Sequence, residues 1–204
     1  SQRYGVDYTI FRYFNVYGPR QSLSNPYTGV AAIFISRVKA GKNPIAVGIG
    51  KVSVLDKLKE LEKDSVVVFE LSSWRLSALG RNQLSPKVAV LTNIYPDHMN
   101  YYKNMEEYGM AKQNIFKFQT PNDYLIINWD NPYTLVFGRE AKSKRLWFSQ
   151  RYSFDTGGSY VVGKNIYFFD GKKKEKILDL KIIKIAGDHN IQNICLNNKF
   201  YYYY

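Results

Sequence analysis

The run Ser65-Val66-Val67-Val68-Phe69, which breaks into Glu70-Leu71-Ser72-Ser73-Trp74, constrains the fold more than any other stretch of the chain. A short run rich in β-branched residues is the pattern of a strand buried on both faces of a parallel sheet. Its C-terminal end carries a carboxylate and two hydroxyls, and in open α/β sheets that edge is where loops form a ligand crevice. A second run of this kind, Val88-Ala89-Val90-Leu91, leads into Thr92-Asn93-Ile94-Tyr95-Pro96-Asp97-His98. Read as neighbouring strands, the two deliver Glu70, Ser72, Asn93, Asp97 and His98 to one rim. Ordinary loop capping is the competing explanation for these polar residues.

The surrounding pattern supports an α/β class. Asp7–Phe14 reads as a strand, Gly29–Ala40 as a helix closed by Gly41, and Pro44–Gly50 as a strand followed by a helix over Val54–Leu61. A helix is expected over Met105–Phe116 with Asn104 as its cap, then a strand at Tyr124–Asn128. Asp130-Asn131-Pro132 begins a helix to about Ala141, and Arg145–Ser149 is the next strand. This alternation is βαβ grammar and implies a parallel sheet. After Gly157-Gly158 the pattern changes to three small antiparallel strands, at Tyr160–Val162, Asn165–Phe169 and Glu175–Lys184, before a final helix opens at Gly187-Asp188-His189-Asn190.

Charge and composition exclude some functions. The 204 residues carry a formal net charge of +12, which invites a polyanion reading. The basic residues are scattered, however, and the one dense run, Gly171–Lys176, reads as a solvated hairpin turn, so nucleic acid is not the expected partner. Anionic nucleotides or sugar phosphates suit the charge better. The single cysteine, Cys195, permits no internal disulfide and makes a reducing cytoplasm the default. No apolar stretch approaches the roughly 20 residues that span a bilayer, so no membrane partner is expected.

Five segments, in order, resemble the Mur ligase family, in its D-glutamate-adding branch. They are Val68–Leu76, Ser85–His98, Ala111-Lys112, Asn128–Pro132 and Gly187–Asn193. The resemblance runs from about residue 47 to 196 and implies the family's central ATP-binding domain. It implies a reaction in which ATP phosphorylates a substrate carboxylate and an amino-acid amine attacks the acyl phosphate to form an amide. The substrates so implied are UDP-N-acetylmuramoyl-L-alanine and D-glutamate, and the setting is peptidoglycan precursor synthesis. Magnesium held by oxygen ligands would neutralise the phosphates.

By the same resemblance Glu70 and His98 coordinate Mg2+. Lys112 matches a lysine that is carbamylated in the family, a change that turns an ammonium into an anionic oxygen donor. Ser72 and Asn93 would orient substrate or phosphate, and Asn190 and Asn193 would reach the nucleotide. For each of the principal residues a plain structural role competes: a solvated helical lysine for Lys112, a turn histidine for His98, a helix cap for His189.

Residues 1 to 45 differ. Arg12–Gln21, Asn25–Val30 and Ala40–Ile45 resemble extended short-chain dehydrogenases acting on nucleotide sugars, the epimerases among them. The glycine-rich dinucleotide loop and the Tyr-x-x-x-Lys pair of that family are not found. A Mur ligase central domain should also open with a loop of the type Gly-Thr-Asn-Gly-Lys-Thr, which points backbone N–H groups at phosphates. Here the corresponding stretch reads Gly48-Ile49-Gly50-Lys51-Val52-Ser53.

The expectation is therefore a composite of three parts. An epimerase-like strand-helix fragment occupies 1–45, an incomplete Mur ligase central domain without its phosphate loop occupies 46–198, and an atypical tyrosine tail occupies 199–204. The expected activity is weak or lost. A non-catalytic nucleotide- and magnesium-binding remnant and a nucleotide-sugar epimerase fragment are the alternatives.

Overall fold

A computed structural model describes residues 8–12, 44–47, 54–62, 65–182 and 187–197. The helix expected over 29–40, the segment 48–53 and the tyrosine tail lie outside them. The described strands are β1 (Tyr8–Arg12), β2 (Pro44–Val47), β3 (Val66–Phe69), β4 (Val88–Leu91), β5 (Tyr124–Asn128), β6 (Lys144–Ser149), β7 (Gly158–Val162), β8 (Asn165–Phe169) and β9 (Lys174–Asp179). The described helices are α1 (Val54–Lys57), α2 (Ser73–Arg81), α3 (Met105–Gln113), α4 (Pro132–Glu140) and α5 (Asp188–Asn197).

All of these strands join one sheet in the order β2-β3-β1-β4-β5-β6-β7-β8-β9. Pairing is parallel from β2 through β7 and antiparallel for β7–β8 and β8–β9. The α/β class, the parallel body and the small antiparallel part are thus as expected. One expectation fails. β3 and β4 are not neighbours, because β1 lies between them, pairing Ile10 with Phe69 on one side and with Ala89 on the other. Buried apolar strands that follow one another in sequence carry no signal of what inserts between them; that depends on long-range pairing.

The insertion matters for the site. From β1 the chain goes on to β2 on one side of the sheet, and from β4 to β5 on the other. Connections that leave adjacent parallel strands in opposite directions open a crevice at the carboxyl ends. Glu70 follows β3 and Asn93 follows β4, so they flank that switch point.

Two apolar layers hold the sheet. Along β4 and β5 the side chains alternate, as a strand requires. Ala89, Leu91, Leu125 and Ile127, with Trp147 of β6, face one layer together with Leu76, Tyr108, Ile115 and Phe137. Val88, Val90 and Ile126, with Leu146 and Phe148, face the other with Ile166, Phe168, Cys195 and Leu196. Strands covered on both sides read as continuous apolar runs for this reason. Each fully buried leucine or isoleucine here contributes roughly 1.5–3 kcal/mol of transfer free energy.

Helix limits follow from local chemistry. Asn104 caps α3 as expected, its Oδ1 accepting from the Glu107 N–H at 2.9 Å. α3 stops at Gln113, short of Phe116, because the next amides turn tighter: Ile115 N–H bonds to Lys112 O and Phe116 N–H to Gln113 O, three residues back. Asn131 caps α4, with Pro132 pre-set for the first helical position. β9 ends at Asp179, where a short 3-10 turn over Leu180–Ile182 begins and Leu180 N–H bonds to Lys164 O.

Candidate functional site

Glu70 leaves β3 half-buried, and the carbonyl of its own backbone accepts a hydrogen bond from Arg75 Nη1 at 3.4 Å. Ser72 serves as the cap of α2, its Oγ accepting from Arg75 N–H at 3.4 Å. The expected competing role for Ser72, capping, is therefore real. It uses the hydroxyl as acceptor only, and the O–H remains a chemically suitable donor for an anionic oxygen.

His98 sits in the left-handed region, φ 57°, which is uncommon for a residue with a Cβ. Asp97 compensates. Its Oδ1 accepts the His98 backbone N–H at 2.8 Å and its Oδ2 lies 3.3 Å from the imidazole Nε2. In the neutral tautomer that donates Nε2–H to Asp97, Nδ1 carries the lone pair. The His98 carbonyl accepts from the N–H groups of Tyr101 and Tyr102, closing the turn.

Aromatic rings connect this histidine to the other site residues. Trp74, the second residue of α2, tilts against the imidazole with centroids 4.5 Å apart. Tyr108 of α3 meets it edge-on at 6.3 Å. Lys112, one turn further along α3, is fully buried, and its Nζ stands 4.7 Å from the Tyr108 ring centroid. His98 and Lys112 thus share Tyr108 as a wall, and α2, whose first turn Glu70 precedes, packs on α3.

The donor set is mixed. Among the described residues no group of three or more His, Cys, Asp or Glu side chains gathers as a metal centre. Glu70 and His98 supply an oxygen and a nitrogen acceptable to a divalent cation. A lysine ammonium is no ligand, so Lys112 fits such a set only as a carbamate.

The fourth segment brings in residues that inspection of the sequence did not single out. Asn128 ends β5, fully buried, and donates from Nδ2 to Asn93 Oδ1 at 3.0 Å. Asn93 Nδ2 in turn donates to Gln192 Oε1 of α5 at 3.4 Å. Asp130 accepts from Ser149 Oγ at 2.5 Å and from Gln150 N–H at 2.7 Å, locking the ends of β5 and β6 together. Asn131 Nδ2 donates to Ile94 O, tying the β5 rim to the loop after β4.

Asn190 lies in the first turn of α5, buried, with its N–H bonded to Gly187 O. Asn193 follows three residues later, on the same side of the helix. Gly187 has φ +108°, so the entry to α5 favours glycine on backbone grounds; the His189 ring that a Cβ would meet at 2.6 Å is exposed and can turn aside. His189 is exposed.

Comparison with known proteins bears on the family and the fold. Residues 27–197 match the family of the Mur ligase middle domain. That match begins inside the stretch expected to be epimerase-like. A UDP-N-acetylmuramoylalanine–D-glutamate ligase of Acetivibrio thermocellus is 37% identical over 142 residues, covering 70% of this chain and 30% of that protein. A ligase of the same name from Clostridium kluyveri is 35% identical over 179 residues, 88% of this chain and 37% of its own length. The chain therefore spans about a third of the length of these relatives. MurF from Acinetobacter baumannii superposes with a TM-score of 0.64 at 16% identity, covering 99% of this chain and 43% of that one, a likeness of fold alone. With the switch-point rim, the ordered motifs and the matching family taken together, the chain belongs to the Mur ligase family through its middle domain.

Proposed function

We propose that this chain is the nucleotide-binding portion of an ATP-dependent ligase that adds D-glutamate to UDP-N-acetylmuramoyl-L-alanine, a cytoplasmic step of peptidoglycan precursor synthesis. The observation that carries the reading is the continuous set of contacts from Trp74 through His98 and Tyr108 to Lys112, at the carboxyl-end rim of a parallel sheet whose β3 leads into Glu70. Its identity to D-glutamate ligases supports the choice of amino acid.

In this reading Glu70 and His98 would hold Mg2+, and Lys112 would join them as a carbamate. The cation, when bound, neutralises phosphate charge as the γ-phosphoryl group moves to the substrate carboxylate. The protein's own part is positional. Asp97 fixes the imidazole so that Nδ1 is the available lone pair, Tyr108 separates and aligns His98 and Lys112, and the Ser72 hydroxyl offers a proton to a phosphate or carboxylate oxygen. Asn190 and Asn193 approach the nucleotide from α5. The burial of Lys112 suits a carbamate, because a desolvated anion beside a cation gains more from the pairing than an exposed one.

We infer further that turnover by this polypeptide is weak or absent. Phosphoryl transfer depends on positioning and electrostatics, and Gly48–Ser53 lacks the spacing of a phosphate cradle and has Val52 where the hydroxyl should follow the lysine. The test is a phosphate-release assay with ATP, Mg2+, UDP-N-acetylmuramoyl-L-alanine and D-glutamate, run beside calorimetric titration of Mg-ADP. The expected outcome is measurable nucleotide binding, reduced at least tenfold in affinity by Glu70→Gln or His98→Ala, with no release above the enzyme-free rate. Robust turnover would overturn the second inference, and absence of binding the first.

A further inference from the structure

The contribution of α5 to nucleotide binding requires its first turns to be held against the rim, and a chain of side-chain amides provides the hold. Asp130 N–H donates to Asn128 Oδ1 at 2.8 Å, Asn128 Nδ2 to Asn93 Oδ1 at 3.0 Å, and Asn93 Nδ2 to Gln192 Oε1 at 3.4 Å. We infer that Asn93 is a positioning residue that ties α5 to the ends of β4 and β5, so that Asn190 and Asn193, on either side of Gln192, are presented in one place. This rests on the reading of the rim as a nucleotide site.

The direction of the chain is not arbitrary. A backbone N–H can only donate, so the Asp130 amide fixes which end of Asn128 is oxygen. That turns the Asn128 nitrogen toward Asn93, which makes the facing atom of Asn93 its oxygen and leaves its nitrogen for Gln192. One obligate donor thereby orients three amides, across 99 residues of sequence between Asn93 and Gln192. The Asn93 nitrogen carries two N–H groups, so its bond to Gln192 does not exclude a second acceptor there. The far half of α5 needs no such bond, since Cys195 and Leu196 are buried in the apolar layer. The relay acts on the half that carries Asn190 and Asn193.

The test uses the full 204-residue chain with two readouts, amide hydrogen exchange along α5 and the Kd for Mg-ADP. Gln192→Met keeps length and removes the acceptor, whereas Gln192→Glu keeps an oxygen for Asn93. Gln192→Met is expected to speed exchange in the first two turns of α5 and to weaken Mg-ADP binding about three- to tenfold, the worth of one partly buried hydrogen bond. Gln192→Glu should restore affinity to within about twofold, as expected if the oxygen acceptor is the operative feature. The double variant Asn93→Ala/Gln192→Met should lose no more than Asn93→Ala alone. Unchanged exchange in Gln192→Met, or losses that multiply in the double variant, would overturn the relay. If the unmodified chain binds no Mg-ADP, the nucleotide reading falls, and exchange in α5 still decides whether the relay exists.

Discussion

Ser149→Ala isolates a polar junction that fixes the far side of the rim. Ser149 is fully buried at the end of β6, and its Oγ makes three hydrogen bonds. It donates to Asp130 Oδ1 at 2.5 Å and accepts from the N–H groups of Arg151 at 3.0 Å and Tyr152 at 2.8 Å. Alanine keeps the Cβ, so the apolar packing survives and the loss is polar. A hydrogen bond to a carboxylate contributes about 1.5–3 kcal/mol and a neutral one about 1 kcal/mol. Water can reach part of the Arg151–Tyr152 turn, whose side chains are exposed, which lowers the neutral share. The net cost is then about 3 kcal/mol, or roughly 6–12 °C in Tm for a chain of this size. Urea titration followed by circular dichroism measures it, provided the slope is unchanged between variants. A cycle with Asp130→Asn should show coupling of about 1–2 kcal/mol, because each single change removes the same charge-assisted bond. A cost below about 1 kcal/mol, or additive losses in the double variant, would refute the assignment of Ser149 as the junction.

Three further outcomes follow from single positions. Gly138→Ala should destabilise by about 1–3 kcal/mol in the same titration, since its Cβ would run into the buried indole of Trp147. Asn104→Ala should cost about 1 kcal/mol by removing the cap of α3, and Asn104→Asp should retain most of it. Burial pushes the Cys195 thiol up to about 12 from 9.0, with the Asp130 charge adding to the effect. The folded state therefore keeps the thiol protonated while the unfolded chain ionises first, so its contribution is intact below pH 9 and is lost as pH rises from about 9 to 12. Comparing urea midpoints of the native chain and Cys195→Ala at pH 8 and 10.5 checks this: the native chain should lose more on going alkaline. Thiol reagents should react with Cys195 only after denaturation.

Some of the architecture was legible because its causes are local. β4 and β5 lie buried between two apolar layers, and that double cover leaves the unbroken apolar runs by which they were read. Asn104 could be placed as a cap, and Asp130-Asn131-Pro132 as a helix start, because such signals act within three residues of themselves. The end of α3 was misjudged by three residues since the tighter turn that follows keeps the same apolar spacing. The adjacency of β3 and β4 failed for a different reason: which strand fills the gap is decided by pairing with β1, more than 50 residues earlier in the chain.

The same division runs through the candidate site. Glu70, His98 and Lys112 could be proposed from the sequence because each stands in a recognisable segment, and the segments keep their order. What holds them did not stand in any motif as a chemical group. Tyr108 reads as one more aromatic on the buried face of a helix, yet it is the surface against which both His98 and Lys112 rest. Gln192 reads as an interchangeable residue between two asparagines, yet its Oε1 accepts a hydrogen bond from Asn93. Residues that supply chemistry are constrained by type and can be read one at a time. Residues that orient them are constrained by where the chain returns, so their roles become visible only once β1 has separated β3 from β4 and α5 has come back to the rim.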